Sequence, residues 1–127
     1  MRYILGIDGG NSKTHALITD ERGVPSGFGE AGASDYQEVG IDQAEQAWSM
    51  AIHQASDQAG IQPDEITDAS FCLAGADLPE DYVLLQRTVD QLLPKAKVKV
   101  KKRHDRRTTR RSLRKQLWRH CGCGHRL

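Results

Sequence analysis

Residues 4–20, ILGIDGGNSKTHALITD, decide the fold of this chain. An apolar run ends in an acidic residue, Asp8, two glycines follow at once, and a second apolar run leads away from them. Continuous or alternating apolar residues over such short lengths are typical of buried β-strands. The stretch therefore predicts two strands, residues 3–7 and 14–19, joined by a glycine-rich turn.

The turn between these strands has the composition of a phosphate-binding loop. Glycine lets a backbone approach a ligand closely and adopt positive φ, and the N–H groups of such a turn can form a concave anion site. A carboxylate at the strand end could hold a hydrated Mg²⁺ ion, and Asp8 occupies that place. We therefore predict a nucleotide-phosphate site with Asp8 as the metal-binding residue. The residues expected to bind the nucleotide are Asp8, Gly9, Gly10, Asn11, Ser12, Lys13 and Thr14.

The turn has two alternative interpretations. A Walker A loop has glycine directly before its lysine and opens a helix, whereas Ser12 precedes Lys13 and a strand pattern follows. An ordinary hairpin with a glycine-rich turn stays open as the structural alternative. In that case Asp8 would only accept hydrogen bonds from turn N–H groups, and Lys13 would be a solvated lysine.

The remaining pattern predicts a third strand, followed by helices and strands in alternation. Residues 24–30 suit an antiparallel strand, and Pro25 restricts it to a strand start or a sheet edge. Residues 41–59 have apolar positions at helical spacing, with an alanine-rich stripe around Trp48 that we expect to be core. Gly60 would end this helix. A strand at 66–73, a helix at 79–93 and a strand at 97–100 complete the order βββαβαβ.

Net charge divides the chain near residue 100. Residues 1–100 carry 7 Lys and Arg against 16 Asp and Glu, a net charge of −9, while residues 101–127 carry 11 against 1, a net charge of +10. Such a switch marks a boundary, so we expect one domain at 1–100 and a basic tail at 101–127. Three cysteines do not form a disulfide framework, and no apolar run reaches membrane-spanning length. We therefore expect a cytoplasmic protein without a membrane partner.

The glycine-rich turn after Asp8 resembles the first phosphate motif of the actin/hexokinase/Hsp70 superfamily, and the element order βββαβαβ resembles the core repeat of that superfamily. More narrowly, the chain resembles the BadF/BadG/BcrA/BcrD ATPase family, which includes N-acetylglucosamine kinases. The resemblance covers residues 1–100 and rests on the Asp8 turn, on residues 32–36 (GASDY) before a helix, and on residues 73–77 (LAGAD) at the end of a strand. It implies an incomplete α/β fold: the N-terminal lobe of an actin-like, ribonuclease H-like ATPase with a mixed sheet.

The resemblance also implies a function. It indicates an ATP-dependent kinase that uses Mg²⁺ and transfers the γ-phosphoryl group to a hydroxyl of an amino sugar, often as a homodimer. The residues implied to contact the sugar are Ser34, Asp35, Gly75 and Asp77. The family commonly has Asn in place of Asp35, which leaves the choice of sugar open. Ordinary loop polarity for residues 34 and 35, and a helix N-cap role for Asp77, are the structural alternatives.

Two other functions remain open from the sequence. The family also contains ATPases that activate 2-hydroxyacyl-CoA dehydratases or benzoyl-CoA reductases, but these need iron–sulfur cysteines and residues 1–100 contain only Cys72. A non-enzymatic protein could instead bind nucleic acid through the basic tail, a partner that we do not expect. Near the end of the chain, Cys121 and Cys123 are spaced more closely than the ligands of structural zinc sites.

The tail lacks the motifs that should follow in the family. These are Asn-Asp-Thr, whose aspartate is the general base, and a later Gly-Thr-Gly phosphate clamp; Asp105 is not assigned the base role, so no catalytic residue is assigned. When the tail is translated back into codons and the reading frame is moved forward by one nucleotide, the sequence NDTTDALRAGHSGNNYGVIAVVGTGF becomes possible. At one position the result is fixed: the last two bases of the Trp118 codon and the first base of any Arg119 codon encode glycine. We therefore expect residues from about 102 onward to be a frameshift product, and the chain as printed to lack sugar kinase activity.

Overall fold

The computed structural model describes residues 2–102, which form a sheet of five strands with helices packed against it. The elements in chain order are β1 (Tyr3–Gly9), β2 (Thr14–Asp20), β3 (Pro25–Ala31), α1 (Tyr36–Val39), α2 (Ile41–Ala59), β4 (Ile66–Leu73), α3 (Pro79–Leu92) and β5 (Lys97–Lys102), with a 3₁₀ turn at Pro63–Glu65. The expected α/β order is confirmed, and the short helix α1 is an addition to it. The predictions for residues 103–127, including their predicted origin in a frameshift, lie outside the described residues.

The sheet is mixed, with the strand order β3-β2-β1-β4-β5. β1 pairs antiparallel with β2 and parallel with β4, while β5 runs parallel to β4 at the far side. Gly9 at the end of β1 pairs with both Thr14 of β2 and Leu73 of β4. The glycine-rich turn and the loop after β4 therefore leave the sheet side by side at the carboxyl ends of β1 and β4, where α/β proteins commonly build their sites.

Pro25 begins β3, which is an edge strand in this order. The restriction read from proline is thus confirmed, because an edge position does not require the missing N–H group. The described residues contain no helix that is long and apolar enough to cross a membrane.

Helix α2 lies directly on the backbone of β3. A Cβ atom added to Gly27 would lie 1.9 Å from the carbonyl oxygen of Ala55, and one added to Gly29 would lie 2.0 Å from that of Ala51. No real Cβ contact is that short, so the helix can approach this strand only because both positions are glycine. The helix periodicity alone did not predict this requirement.

The core lies between the sheet and the helices α2 and α3. Trp48 of α2 is fully buried, and its ring meets Phe71 of β4 edge to face, with centroids 6.0 Å apart. The predicted alanine stripe is confirmed, because Ala44, Ala51 and Ala55 are fully buried as well. Small residues on α2 bring the helix close to the sheet. This packing positions the segment between β3 and α2, which leads into the helix.

Candidate nucleotide and acceptor site

The turn after β1 is a tight hairpin connection. The Gly10 N–H donates to the carbonyl oxygen of Lys13 at 2.9 Å, and the strand pairing resumes at Thr14. Asn11, Ser12 and Lys13 form its exposed tip. The backbone donors available to a phosphate in this conformation are therefore those of the tip, since the Gly10 N–H already has a carbonyl partner.

Gly9 and Gly10 do not adopt positive φ. Within residues 2–102, positive φ occurs only at Gly23, Gly40, Gly60 and Gly75. β1 instead stays extended and paired through Gly9. The site of Gly9 is closely packed: a Cβ atom would lie 2.6 Å from Ser34 Oγ and 2.8 Å from Leu73 Cδ2, so these side chains would have to shift to admit it.

A buried hydroxyl pair fixes the base of the turn to the loop before α1. Thr14 Oγ1 lies 2.8 Å from the Gly32 carbonyl oxygen and 2.7 Å from Ser34 Oγ. Because the Thr14 hydroxyl carries one proton, it donates that proton to the carbonyl and accepts a hydrogen bond from the Ser34 hydroxyl. The Ser34 N–H also donates to the Gly10 carbonyl at 3.0 Å. Ser34 is thus buried beneath the turn between β1 and β2, and its predicted sugar contact stays a prediction.

The charged residues of the turn occupy different environments. Asp8 is half-buried at the end of β1, where its register partners are His15 and Cys72. The Lys13 side chain is mostly exposed, and its Nζ lies 3.5 Å from a carboxylate oxygen of Glu30. Lys13, whose positive charge is expected to face the nucleotide, therefore forms an ion pair with Glu30.

The residues around Asp8 suit a metal ion that arrives with the nucleotide. No group of three His, Cys, Asp or Glu residues within 2–102 could hold a metal ion by itself. Mg²⁺ is commonly bound through one or two carboxylates together with substrate phosphates and water. A single carboxylate such as Asp8 fits that arrangement and does not fit a preformed protein cage.

The two predicted acceptor segments lie against each other. Asp35 is the N-cap of α1 and accepts a hydrogen bond from the Gln37 N–H at 3.1 Å. Gly75 has a φ of +92°, and a Cβ atom there would lie only 2.7 Å from Asp35 Oδ1. The Gln37 side-chain amide donates to the Gly75 carbonyl at 2.9 Å. The structure thus brings Asp35 and Gly75 together although they are far apart in sequence.

Asp77 does not cap the helix that follows it. Leu78 is the N-cap residue of α3, and the Asp81 carboxylate accepts hydrogen bonds from the N–H groups of Leu78 at 2.8 Å and Asp77 at 3.1 Å. The Asp77 carboxylate instead lies 3.3 Å from Lys102 Nζ. The structural alternative for Asp77 is therefore wrong, because the helix starts one residue too late for it.

Asp81 and Tyr36 are the residues that sequence reasoning missed. The Tyr36 hydroxyl donates to Asp81 Oδ1. This hydrogen bond is the main cause of a raised pKa for Tyr36, and of a lowered pKa for Asp81, which the backbone N–H of Leu78 lowers further. An acid three residues into a helix is a capping signal that the sequence does contain. Its tyrosine partner lies 45 residues away and carried no such signal.

Comparison with known proteins gives a consistent family. A family model described as the BadF/BadG/BcrA/BcrD ATPase family matches residues 5–102. The chain is also 33% identical over 84 residues to the glucosamine kinase GspK of Vibrio cholerae serotype O1. That alignment covers 65% of this chain and 28% of the kinase.

Solved structures show the same fold. A putative N-acetylglucosamine kinase from Chromobacterium violaceum matches with a TM-score of 0.62 and 23% identity, over 80% of this chain and 35% of that protein. The ethanolamine utilization protein EutJ from Carboxydothermus hydrogenoformans matches with a TM-score of 0.60 and 18% identity, over 80% and 37% of the two chains. Residues 2–102 therefore have the fold of an actin-like ATPase N-terminal lobe, and the chain spans about a third of the length of these proteins.

Proposed function

Because the chain belongs to the BadF/BadG/BcrA/BcrD ATPase family, we propose that residues 2–102 are the nucleotide-binding lobe of an ATP-dependent amino-sugar kinase. The observation that carries the proposal is the meeting of the two candidate loops at one sheet edge. The Ala74 N–H donates to the Gly9 carbonyl at 2.8 Å, so the phosphate turn and the acceptor loop diverge from adjacent atoms. A phosphoryl donor on one loop would then lie beside an acceptor on the other, and positioning of this kind supplies much of phosphoryl-transfer catalysis.

The turn would bind the phosphates of ATP through its exposed tip. Asn11 and Ser12 would offer backbone N–H donors. Lys13 would offer its positive charge, which is paired with Glu30 in the structure. Asp8 would hold Mg²⁺, which neutralises phosphate charge when bound. Thr14 would act indirectly, because its buried hydroxyl fixes the base of the turn.

The acceptor loops favour a sugar that carries an amino group. Asp35 and Asp77 supply carboxylates, which accept hydrogen bonds from hydroxyls and attract an ammonium group. The Asp35 charge, where the family commonly has neutral Asn, would favour a free amine over an acetamide. The name of the Vibrio relative, a glucosamine kinase, agrees with this choice. We therefore propose glucosamine rather than N-acetylglucosamine as the preferred acceptor.

The other two candidate functions have less support. Among the described residues the one cysteine is Cys72, which is only 3% exposed within β4 and so is poorly placed to bind a cluster at a subunit interface. Residues 2–102 carry 9 Lys and Arg against 16 Asp and Glu, a net charge of −7. A negative lobe repels nucleic-acid phosphates, so any such binding would depend on the tail.

The frameshift remains part of the proposal. The family match extends to residue 102, which is also where the one-nucleotide shift would restore the family motifs. Independent sequencing of the coding DNA through codon 102 tests it directly. We expect the extra or missing nucleotide to be found there, and an uninterrupted frame in independent DNA would refute the shift.

A coupled ATP assay tests the kinase proposal. The gene with its frame restored would be assayed with glucosamine, with N-acetylglucosamine and without sugar. We expect sugar-dependent ADP release that favours glucosamine, and a loss of that preference by about tenfold in Asp35→Asn, because a charged hydrogen bond contributes about 1.5 kcal/mol or more. The control is Asp42→Asn on the exposed side of α2, which should behave as wild type. Sugar-independent hydrolysis would instead favour the activator ATPase.

A further inference from the structure

Asp81 joins two loops that are distant in sequence. One of its carboxylate oxygens accepts from the Tyr36 hydroxyl, 45 residues earlier. The other accepts from the N–H groups of Leu78 at 2.8 Å and Asp77 at 3.1 Å. The residue is 6% exposed, so water competes little for these bonds. A single carboxylate therefore holds the start of α1 against the start of α3.

A second set of contacts ties the same two loops. The Gln37 side-chain amide donates to the Gly75 carbonyl at 2.9 Å and lies 3.5 Å from Asp81 Oδ2. Gly75 admits the Asp35 carboxylate so closely that a Cβ atom would collide with it. Residues 35–37 and 75–81 are thus one polar unit, and they include both carboxylates assigned to the acceptor.

We propose that Asp81 and Tyr36 form a clamp that positions the Asp35 loop and the Asp77 loop relative to each other for acceptor binding. The role of the clamp in acceptor binding rests on the proposed function. The contact that it makes between the two loops does not depend on that function. A carboxylate that only capped α3 would need the backbone N–H groups of Leu78 and Asp77 alone. The hydrogen bond from Tyr36 is not needed for that cap. It joins the first residue of α1 to the carboxylate oxygen of Asp81 that the cap does not use. The same hydrogen bond is the largest cause of the raised pKa of Tyr36.

The clamp predicts that a change on α1 loosens the loop before α3. The test uses the full chain, labelled with ¹⁵N, and the variant Tyr36→Phe, which removes only a hydroxyl. Amide hydrogen exchange at Asp77 and Leu78 should accelerate by about tenfold, since the Asp81 carboxylate would lose one of its fixed partners. The matched control is Tyr82→Phe, a half-buried tyrosine on α3, which should leave both rates unchanged.

A second variant supplies a spectroscopic signature. Asp81→Asn should lower the phenol pKa of Tyr36 toward the ordinary value of about 10, while Asp90→Asn, on the exposed side of the same helix, should not. If Asp81→Asn fails to fold, Tyr36→Phe still decides the matter. Unchanged exchange at Asp77 and Leu78 in Tyr36→Phe would overturn the clamp.

Ligand titrations separate the clamp from the function. Glucosamine should perturb residues 35 and 75–77 in the wild type, and Tyr36→Phe should weaken that response by about tenfold while leaving the response of residues 9–14 to Mg·ATP unchanged. Accelerated exchange without any glucosamine response would support the clamp and contradict the acceptor assignment. A glucosamine response that Tyr36→Phe does not weaken would contradict the positioning role.

Discussion

The α2–β3 junction and the paired loops that follow β3 and β4 are built in opposite ways. At the junction, helix and strand touch backbone to backbone because Gly27 and Gly29 have no side chains. At the loops, contact is made by polar side chains, with Asp81 and Gln37 bridging segments far apart in sequence. The junction is therefore intolerant of added atoms, while the loops are sensitive to lost hydrogen bonds and to pH.

The largest effect is expected from adding one methyl group at the junction. Gly29→Ala would place a Cβ atom 2.0 Å from the Ala51 carbonyl oxygen. Backbone atoms on both sides prevent an easy adjustment, so we expect a loss of about 3 kcal/mol in the free energy of unfolding, at the upper end for overpacking. Urea denaturation measures it. Gly32→Ala is the control, because nothing lies within 4 Å of its added Cβ atom, and equal stability of the two variants would contradict the close contact.

A smaller loss is expected at the base of the phosphate turn. Thr14→Val keeps the shape of the side chain but leaves the Gly32 carbonyl and the Ser34 hydroxyl without their partner. We expect a loss of about 2 kcal/mol, the cost of unsatisfied buried polar groups. Thr14→Ser keeps the hydroxyl and should lose less, although it is the smaller residue. A serine variant less stable than the valine variant would show that packing, not hydrogen bonding, holds the turn.

The smallest effect is a pH dependence at the paired loops. The lowered pKa of Asp81 means that its contribution is present above the ordinary carboxyl pKa of about 4 and is lost as the pH falls below it. The raised pKa of Tyr36 means that its contribution is present below about pH 10 and is lost above it. The stability difference between wild type and Tyr36→Phe should therefore be flat near neutral pH and shrink at both extremes. A difference that grows toward acid pH would contradict the bond.

The sequence predicted the elements better than the contacts between loops. The apolar spacing of residues 41–59 and 66–73 predicts the bounds that α2 and β4 have, because this spacing reflects burial directly. The four-residue helix α1 is too short to show a period. The bond between Tyr36 and Asp81 depends on how the chain brings two loops together, which local pattern does not encode. The turn between β1 and β2 lies where the sequence predicts it, and its phosphate-binding role stays a prediction. The closeness of Gly9 to the side chains of Ser34 and Leu73 is a contact that local pattern does not encode.

Binding of Mg·ATP to the ¹⁵N-labelled chain tests the central claim, that the turn after β1 is a nucleotide-phosphate site. The site predicts chemical-shift changes concentrated in residues 9–14, dependent on Mg²⁺, lost in Asp8→Asn and kept in Asp42→Asn. A response located elsewhere, or one that Asp8→Asn leaves intact, would contradict the site.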